Sequence, residues 1–402
     1  MGYFLAYMVF LAFPPLLINS FVFMKRDTKR WRQYIVLYAL LIGLFAYSYV
    51  PVSGDLSRYI GRLYRYFPYS LKEAFSVYYW LDVGEVFWDW LIARTDAPGL
   101  LSAVPQFIIY FIASYITCDY LERRNVPELI YKAFILQFFL VPQISTINNI
   151  YCVTAFSLVV LAIYRDLVQN KRNIATYALY ILPCFIHNSA VILIILRVLA
   201  MLIKKARYIS VAIAFLIPVL LTVLYNNIGF FRNNQLLYRV IVSGYRYYSE
   251  EGTAAYSVSR LYFLSFIHNM LFSFLSAFLI LKFQNRKEDN NLDRKTELKD
   301  NTFLSFLLLV SVVAISCVIF NAPHYWRFNF VVKLCVAGLL LLINDNPKIK
   351  KTCFYLLLID GLLVKFTETV DLLRIANLSQ TLVNFLLSSP FGIVFKLIIN
   401  MF

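Results

Sequence analysis

Asp55 is followed by arginines at positions 58, 62 and 65. On a helix capped by Ser53 or Asp55, those arginines fall at i, i+4 and i+7 and share one face. Asp55 and Tyr59 are i, i+4 neighbours on it. A guanidinium keeps its charge at any biological pH and forks onto phosphate oxygens. The face therefore suits a phosphorylated ligand, with a carboxylate at its edge as a base. It equally suits an interfacial helix whose arginines meet lipid headgroups.

Further groups carry comparable chemistry. Tyr78-Tyr79-Trp80 and Glu85-Val86-Phe87-Trp88-Asp89-Trp90 mix rings with carboxylates. Rings stack on the C–H faces of sugars while carboxylates accept hydroxyl hydrogen bonds, although the same residues suit an interfacial belt. The acids of this stretch, Glu73, Asp82, Glu85, Asp89 and Asp96, are not at metal-ligand spacing. His187 interrupts an apolar stretch and is followed by Asn188 and Ser189. A histidine at membrane depth is costly unless partnered, which makes it a functional candidate. His268 recurs in a similar Phe-Ile-His-Asn string and is assigned a structural role. Residues 229–260 hold Arg232, Arg239, Arg246 and Arg260 among Tyr238, Tyr245, Tyr247, Tyr248 and Tyr256, a composition suited to a lid with phosphate and sugar contacts. His324-Tyr325-Trp326-Arg327 occupies a short turn between two apolar runs. An arginine held there by two helix ends is well positioned.

The elements that must position these groups are membrane helices. The chain is 61% hydrophobic and 15% charged over 402 residues, against about 25% charged in soluble proteins. No polar segment is long enough to bury a core of its own. Apolar runs near 3–23, 33–50, 100–118, 129–145, 150–164, 208–228, 261–281, 302–320, 328–343 and 352–366 have lengths that suit spans. This is the pattern of an all-α polytopic integral membrane helical bundle, one transmembrane domain over 1–402 with about 12–14 membrane segments. The apolar start lacks a basic leader and a small-residue cleavage site, and reads as an uncleaved first helix. Six Cys without a CxxC read as packing residues rather than a disulfide frame or metal site.

Basic clusters at Lys25–Arg32, Arg123–Arg124, Arg165–Arg172, Lys204–Arg207, Lys282–Lys299 and Lys348–Lys351 fall between alternate runs, and the positive-inside rule places them in the cytoplasm. Residues 174–203 decide the parity. One helix of that length would be about 45 Å long in a core of ~30 Å. Two short helices meeting at His187 keep Lys204, Lys205 and Arg207 inside. The outer segments are then 51–99, with interfacial helices, 229–260, 321–327 and 367–388, while 282–301 is a charged cytoplasmic loop. Of eleven basic residues assigned outside, ten are Arg; inside, ten are Arg and twelve Lys. The outer bias points to phosphate binding, with chance as the bland alternative. The net charge of +16 is largely cytoplasmic anchoring, so no nucleic acid is implied.

Asp55…Arg58-Tyr59 resembles the D-x-x-R-Y-type motif of EpsG-family exopolysaccharide polymerases, relatives of the Wzy O-antigen and capsule polymerases. Glu85-Val86-Phe87 is similar to that family's acidic-then-aromatic E-x-G-F region, without its glycine. Phe185-Ile186-His187-Asn188-Ser189-Ala190 resembles its F-H-x-S-A motif, the most specific of the matches, and Arg327 and Phe330 resemble a late R…Y element with Phe for Tyr. Where the family has Ile-Arg-Gln ahead of an Ala-containing helix, this chain has Ile150-Tyr151-Cys152, so Tyr151 stands at the Arg position. Either another arginine supplies that charge or the substrate differs. The resemblance covers most of 30–345 and none of the last fifty residues.

The resemblance implies a GT-C-like bundle in the bacterial cytoplasmic membrane with its active site facing outside. Such an enzyme joins undecaprenyl-diphosphate-linked oligosaccharide repeat units: the nascent chain leaves its lipid diphosphate for a sugar hydroxyl of the incoming unit. No cofactor and no metal are implied; flippase and chain-length-regulator proteins are the implied partners. Arginine must then stabilise the leaving diphosphate, and Arg58, Arg62, Arg239, Arg246 and Arg327 are the candidates. The base for the attacking hydroxyl is expected to be Asp55, ahead of His187 and Glu85. Tyr59, Trp80, Trp88, Tyr248 and Tyr325 are the candidate glycan contacts. An O-antigen-ligase-like enzyme shares this logic with a different acceptor. A lipid-linked-oligosaccharide flippase or transporter is the rival from another class, kept open by the intramembrane charges Lys132, Arg197, Lys333, Asp360 and Lys365.

Overall fold

The computed structural model describes residues 28–51, 54–77, 83–95, 97–203, 207–226, 260–284, 294–319, 325–340 and 347–375. The expected first helix at 3–23, the lid at 229–259 and everything after 375 lie outside the described residues. The described residues are helical apart from short connections: α1 (Trp31–Ser48), α2 (Asp55–Tyr66), α3 (Leu71–Val77), α4 (Val83–Ala93), α5 (Leu100–Arg123), α6 (Ile130–Leu140), α7 (Gln143–Asn148), α8 (Ile150–Leu167), α9 (Ile174–Ile186), α10 (Ala190–Leu202), α11 (Arg207–Asn226), α12 (Arg260–Gln284), α13 (Arg294–Ile319), α14 (Tyr325–Leu340) and α15 (Pro347–Ile375).

Three of these stretches, α5, α8 and Asn301–Ile319 of α13, are long and apolar enough to cross a bilayer. α8 is the hub. It is buried on nearly every side and packs against α5, α9, α10, α13 and α14. A helix apolar all round belongs in the core of a large bundle or in a membrane. Toward the outside, α9, α10, α12 and α15 expose large apolar side chains such as Ile181, Leu182, Ile195, Phe278 and Phe366, the surface that lipid accepts and water does not.

The stretch 174–203 breaks where its polar residues predict. Asn173 accepts a hydrogen bond from the Thr176 backbone N–H and caps α9, α9 stops at Ile186, and α10 begins at Ala190. Thirteen residues give each helix about 20 Å, short of a full hydrocarbon core.

The run expected at 129–145 is not one helix. Val141 and Pro142 are extended between α6 and α7, because proline lacks an N–H for the ladder and pushes the preceding residue out of helical geometry. Backbone groups freed inside an apolar bundle need partners, and α15 supplies them. Lys365 Nζ donates to the Val141 carbonyl at 2.9 Å. Glu368 Oε1 accepts from the backbone N–H groups of Ile144 at 2.6 Å and Ser145 at 3.2 Å. The two side chains also bond each other at 3.1 Å, and both are buried. A cation thus meets the C-terminal end of one helix and an anion the N-terminal end of the next, as the helix dipoles require. Here the expectation of an outer segment from 367 is corrected: α15 continues to Ile375 and Glu368 lies in the core. The charged loop expected at 282–301 is likewise shorter, since α12 runs to Gln284 and α13 starts at Arg294.

The other buried charges are partnered too. Lys333 Nζ lies 3.8 Å from Asp360 Oδ2 and 3.4 Å from His268 Nε2, which places His268 in a structural network. Asn329 bridges the same region, accepting from Ser273 at 2.6 Å and donating to the Asn269 carbonyl at 2.9 Å. Arg197 pairs with Asp166, which also takes Arg172 at 2.8 Å.

Candidate functional site

α2 starts where Gly54 adopts a positive φ of 90° against Asn148; a Cβ there would lie 3.1 Å from Asn148 Oδ1. Leu56, Leu63 and Tyr66 bury one side of α2. α3 begins with a capping box: Ser70 and Glu73 bond reciprocally, Ser70 N to Glu73 Oε2 at 2.7 Å and Glu73 N to Ser70 Oγ at 3.3 Å. Glu73 is therefore engaged in holding a helix start. The far end of α4 is tied back to the α2–α3 turn by Trp90 Nε1 donating to the Tyr69 carbonyl at 3.0 Å and by Arg94 donating to the Phe67 and Tyr69 carbonyls. α4 consequently lies along α2.

Glu85 and Asp89, i and i+4 on α4, turn to the same side and meet Arg62. The guanidinium lies 2.5 Å from Glu85 Oε1 and 2.7 Å from Asp89 Oδ2. Tyr151, at the start of α8, donates its hydroxyl to Asp89 Oδ1. Tyr59 packs edge-on to Tyr151 with ring centroids 4.8 Å apart. The guanidinium sits 5.0 Å from the Tyr59 ring centre and 5.7 Å from that of Tyr151. Asp89 is 0% exposed and Glu85 16%. Burial pushes the Asp89 carboxyl up to about 6, even though the Arg62 charge and the Tyr151 hydroxyl pull it down. Burial also works against the Arg62 charge, but Glu85 and Asp89 outweigh it and hold the guanidinium protonated.

A second group adjoins the first. Ser189 Oγ lies 2.6 Å from His187 Nδ1. Arg327, in the first turn of α14, is close enough for its charge to act on both His187 and Cys152. Gly84 joins the two groups: a Cβ there would stand 2.9 Å from Ile186 Cγ1 and 3.0 Å from the Phe185 carbonyl. Only glycine lets the start of α4 rest on the end of α9 this closely. Tyr151 and Cys152 are consecutive, so α8 contributes one residue to each group.

The site therefore gathers Arg62, Glu85, Asp89, Tyr151, His187 and Arg327 at one end of the bundle. At the other end of α8, about 21 Å from Tyr151 at 1.5 Å per residue, Arg165 bonds Thr176 at 3.1 Å. There too Asp119 accepts from Arg123, Tyr164 and Gln169 at 2.7, 2.7 and 3.0 Å.

The three arginines of α2 do not act as one face. Arg58 pairs with Asp55 and is 67% exposed, Arg65 is exposed, and only Arg62 turns inward. Asp55, first choice as base, is the partner of Arg58. Tyr59 and Trp88 are half-buried against the core, and Tyr325 is buried. Arg327 packs over Trp326 at 5.7 Å. Arg239, Arg246, Trp80 and Tyr248 lie outside the described residues. Asp89, which the sequence offers only among carboxylates suited to sugar hydroxyls, belongs to the site beside Glu85; the i, i+4 spacing of the two was the available signal. Of the two alternatives open at Tyr151, another arginine or a different substrate, the structure brings Arg62 onto that ring. Among the described residues no group of three or more His, Cys, Asp or Glu is placed to hold a metal ion.

Fold and site together define a helical bundle, three of whose described helices are long and apolar enough to cross a membrane, with a cluster of guanidinium, carboxylate and imidazole groups at one end. Comparison with models of known protein families, with curated proteins and with solved structures finds no match.

Proposed function

We propose that the chain is a glycosyltransferase of GT-C-like architecture in the bacterial cytoplasmic membrane. It polymerises undecaprenyl-diphosphate-linked oligosaccharide repeat units on the outer face. The observation that carries this reading is the convergence of Arg62, Glu85, Asp89, Tyr151, His187 and Arg327 from separate helices. Transfer from a lipid diphosphate needs a cation where the leaving oxygen gains charge and a base within reach of the attacking hydroxyl. In this reading Arg327, beside His187, faces the diphosphate, joined by Arg58 and by Arg239 and Arg246 of the 229–260 segment. Glu85 faces the acceptor sugar. Glu85 is preferred to Asp55 as the base because it shares Arg62 with Asp89, whereas Asp55 is paired with Arg58.

The test is purified protein in vesicles with a lipid-linked repeat unit, scoring product length and released lipid diphosphate. A ladder of products with diphosphate release is the expected result. A single transfer to a different acceptor would make the protein ligase-like. Movement of lipid-linked substrate across the vesicle without diphosphate release would refute the transferase reading and favour a flippase.

A further inference from the structure

We infer that Asp89 is a positioning residue for proton transfer: by sharing the Arg62 guanidinium with Glu85, it keeps the Glu85 carboxylate basic enough to accept the acceptor hydroxyl's proton. This rests on the transferase reading and adds to it the group that sets the base's strength.

Glu85 and Asp89 divide the work by burial. Asp89 is wholly buried and cannot touch a sugar, whereas Glu85 keeps some exposure. An arginine paired with a single carboxylate suppresses that carboxylate's affinity for a proton. Arg62 is not in that position. Its one positive charge lies against two carboxylates, at 2.5 and 2.7 Å, so the ionised trio carries a surplus negative charge. The Tyr151 hydroxyl donates to Asp89 and favours its anionic form. Tyr59 lies under the Arg62 guanidinium and edge-on to Tyr151 and fixes the arrangement from α2.

In the step itself the acceptor O–H proton moves to Glu85. The hydroxyl oxygen forms its bond to the anomeric carbon, and the bond from that carbon to the diphosphate oxygen breaks, its electron pair leaving with the diphosphate. Glu85 afterwards gives the proton to water. Asp89 takes no proton from substrate.

The consequence is a pH signature. Burial holds the Asp89 carboxyl at about 6. On acidification through that value Asp89 becomes neutral, the whole Arg62 charge falls on Glu85, and transfer slows. The groups around Asp89 are Arg62 and Tyr59 of α2, Tyr151 of α8 and Glu85 of α4 itself. Lys72 and Glu73 of α3 are exposed, the portion of α5 before Asp119 carries no charged residue, and α9 brings His187 at its end.

The experiment measures transfer rate against pH for wild type, Glu85→Gln, Asp89→Asn and Tyr151→Phe, with donor-lipid binding and thermal unfolding measured alongside. Glu85→Gln is expected to lose ~10²–10⁴-fold in turnover while still binding donor. Asp89→Asn is expected to lose about tenfold and to lose the acid limb near pH 6. Tyr151→Phe removes the donor to the charged form, so its limb is expected to move to higher pH, a shift that a merely structural role would not produce. If wild type is active and both variants only scale the profile without moving the limb, the inference is overturned and the transferase reading stands. If wild type neither transfers sugar nor releases diphosphate, the underlying reading is overturned and the inference with it.

Discussion

The clamp between α15 and the α6–α7 break makes the sharpest stability prediction. Glu368→Gln keeps a side-chain oxygen that can accept from the Ile144 and Ser145 N–H groups, but removes the carboxylate charge that faces the Lys365 ammonium, which is 5% exposed and donates to the Val141 carbonyl. Breaking a buried ion pair from one side costs about 3–5 kcal/mol, and weakening two charge-assisted hydrogen bonds adds about 1 kcal/mol. Adding Lys365→Met removes the buried charge, and the Val141 carbonyl keeps the Tyr110 hydroxyl at 3.3 Å. The double variant should therefore lie within about 1–2 kcal/mol of wild type, and should be more stable than Glu368→Gln alone. Equilibrium unfolding of the detergent-solubilised protein, followed by tryptophan fluorescence, gives the double-mutant cycle. A double variant that is destabilised by the sum of the two single changes would show that the pair is not coupled and would refute the argument.

Other outcomes follow from the site. Gly84→Ala forces a Cβ against Ile186 and the Phe185 carbonyl; it should cost about 1–3 kcal/mol and reduce turnover even at temperatures where the variant remains folded, as read by paired melting and transfer assays. Asp55→Asn removes an exposed ion pair with Arg58, so stability should change by less than about 1 kcal/mol and turnover by only a few-fold; a loss of ~10²–10⁴-fold would return the base to Asp55. Arg327→Lys keeps the charge but loses the fork, so KM for the lipid-linked donor should rise about tenfold; an unchanged KM would show that a point charge beside His187 suffices.

Much of the helical scaffold is legible in the sequence. The apolar lengths around 100–118, 150–164 and 302–320 mark the helices that can cross a bilayer, because burial of a helix in lipid or core is encoded in its composition. The polar string at His187 marks the break between α9 and α10, since neither lipid nor an apolar core tolerates unpartnered polar groups there. α2 does start at Asp55, but its N-cap is Gly54 with no side-chain cap hydrogen bond, rather than the Ser53 or Asp55 cap expected. These are short-range properties, and they are readable because each depends on residues within a few positions of one another.

The tertiary structure alone decided which charges of separate helices meet. Arg62 could equally have faced lipid headgroups; it turns inward because α4, tied back through Trp90 and Arg94, sets Glu85 and Asp89 beside it. Glu368 reads as the start of an outer segment until α15 is seen to carry it to the backbone of Ile144, 224 positions away. Periodicity reports which face of a helix is apolar, but not the height and rotation at which two distant helices dock. A buried ion pair depends on both, because its energy falls steeply with a few ångströms of displacement.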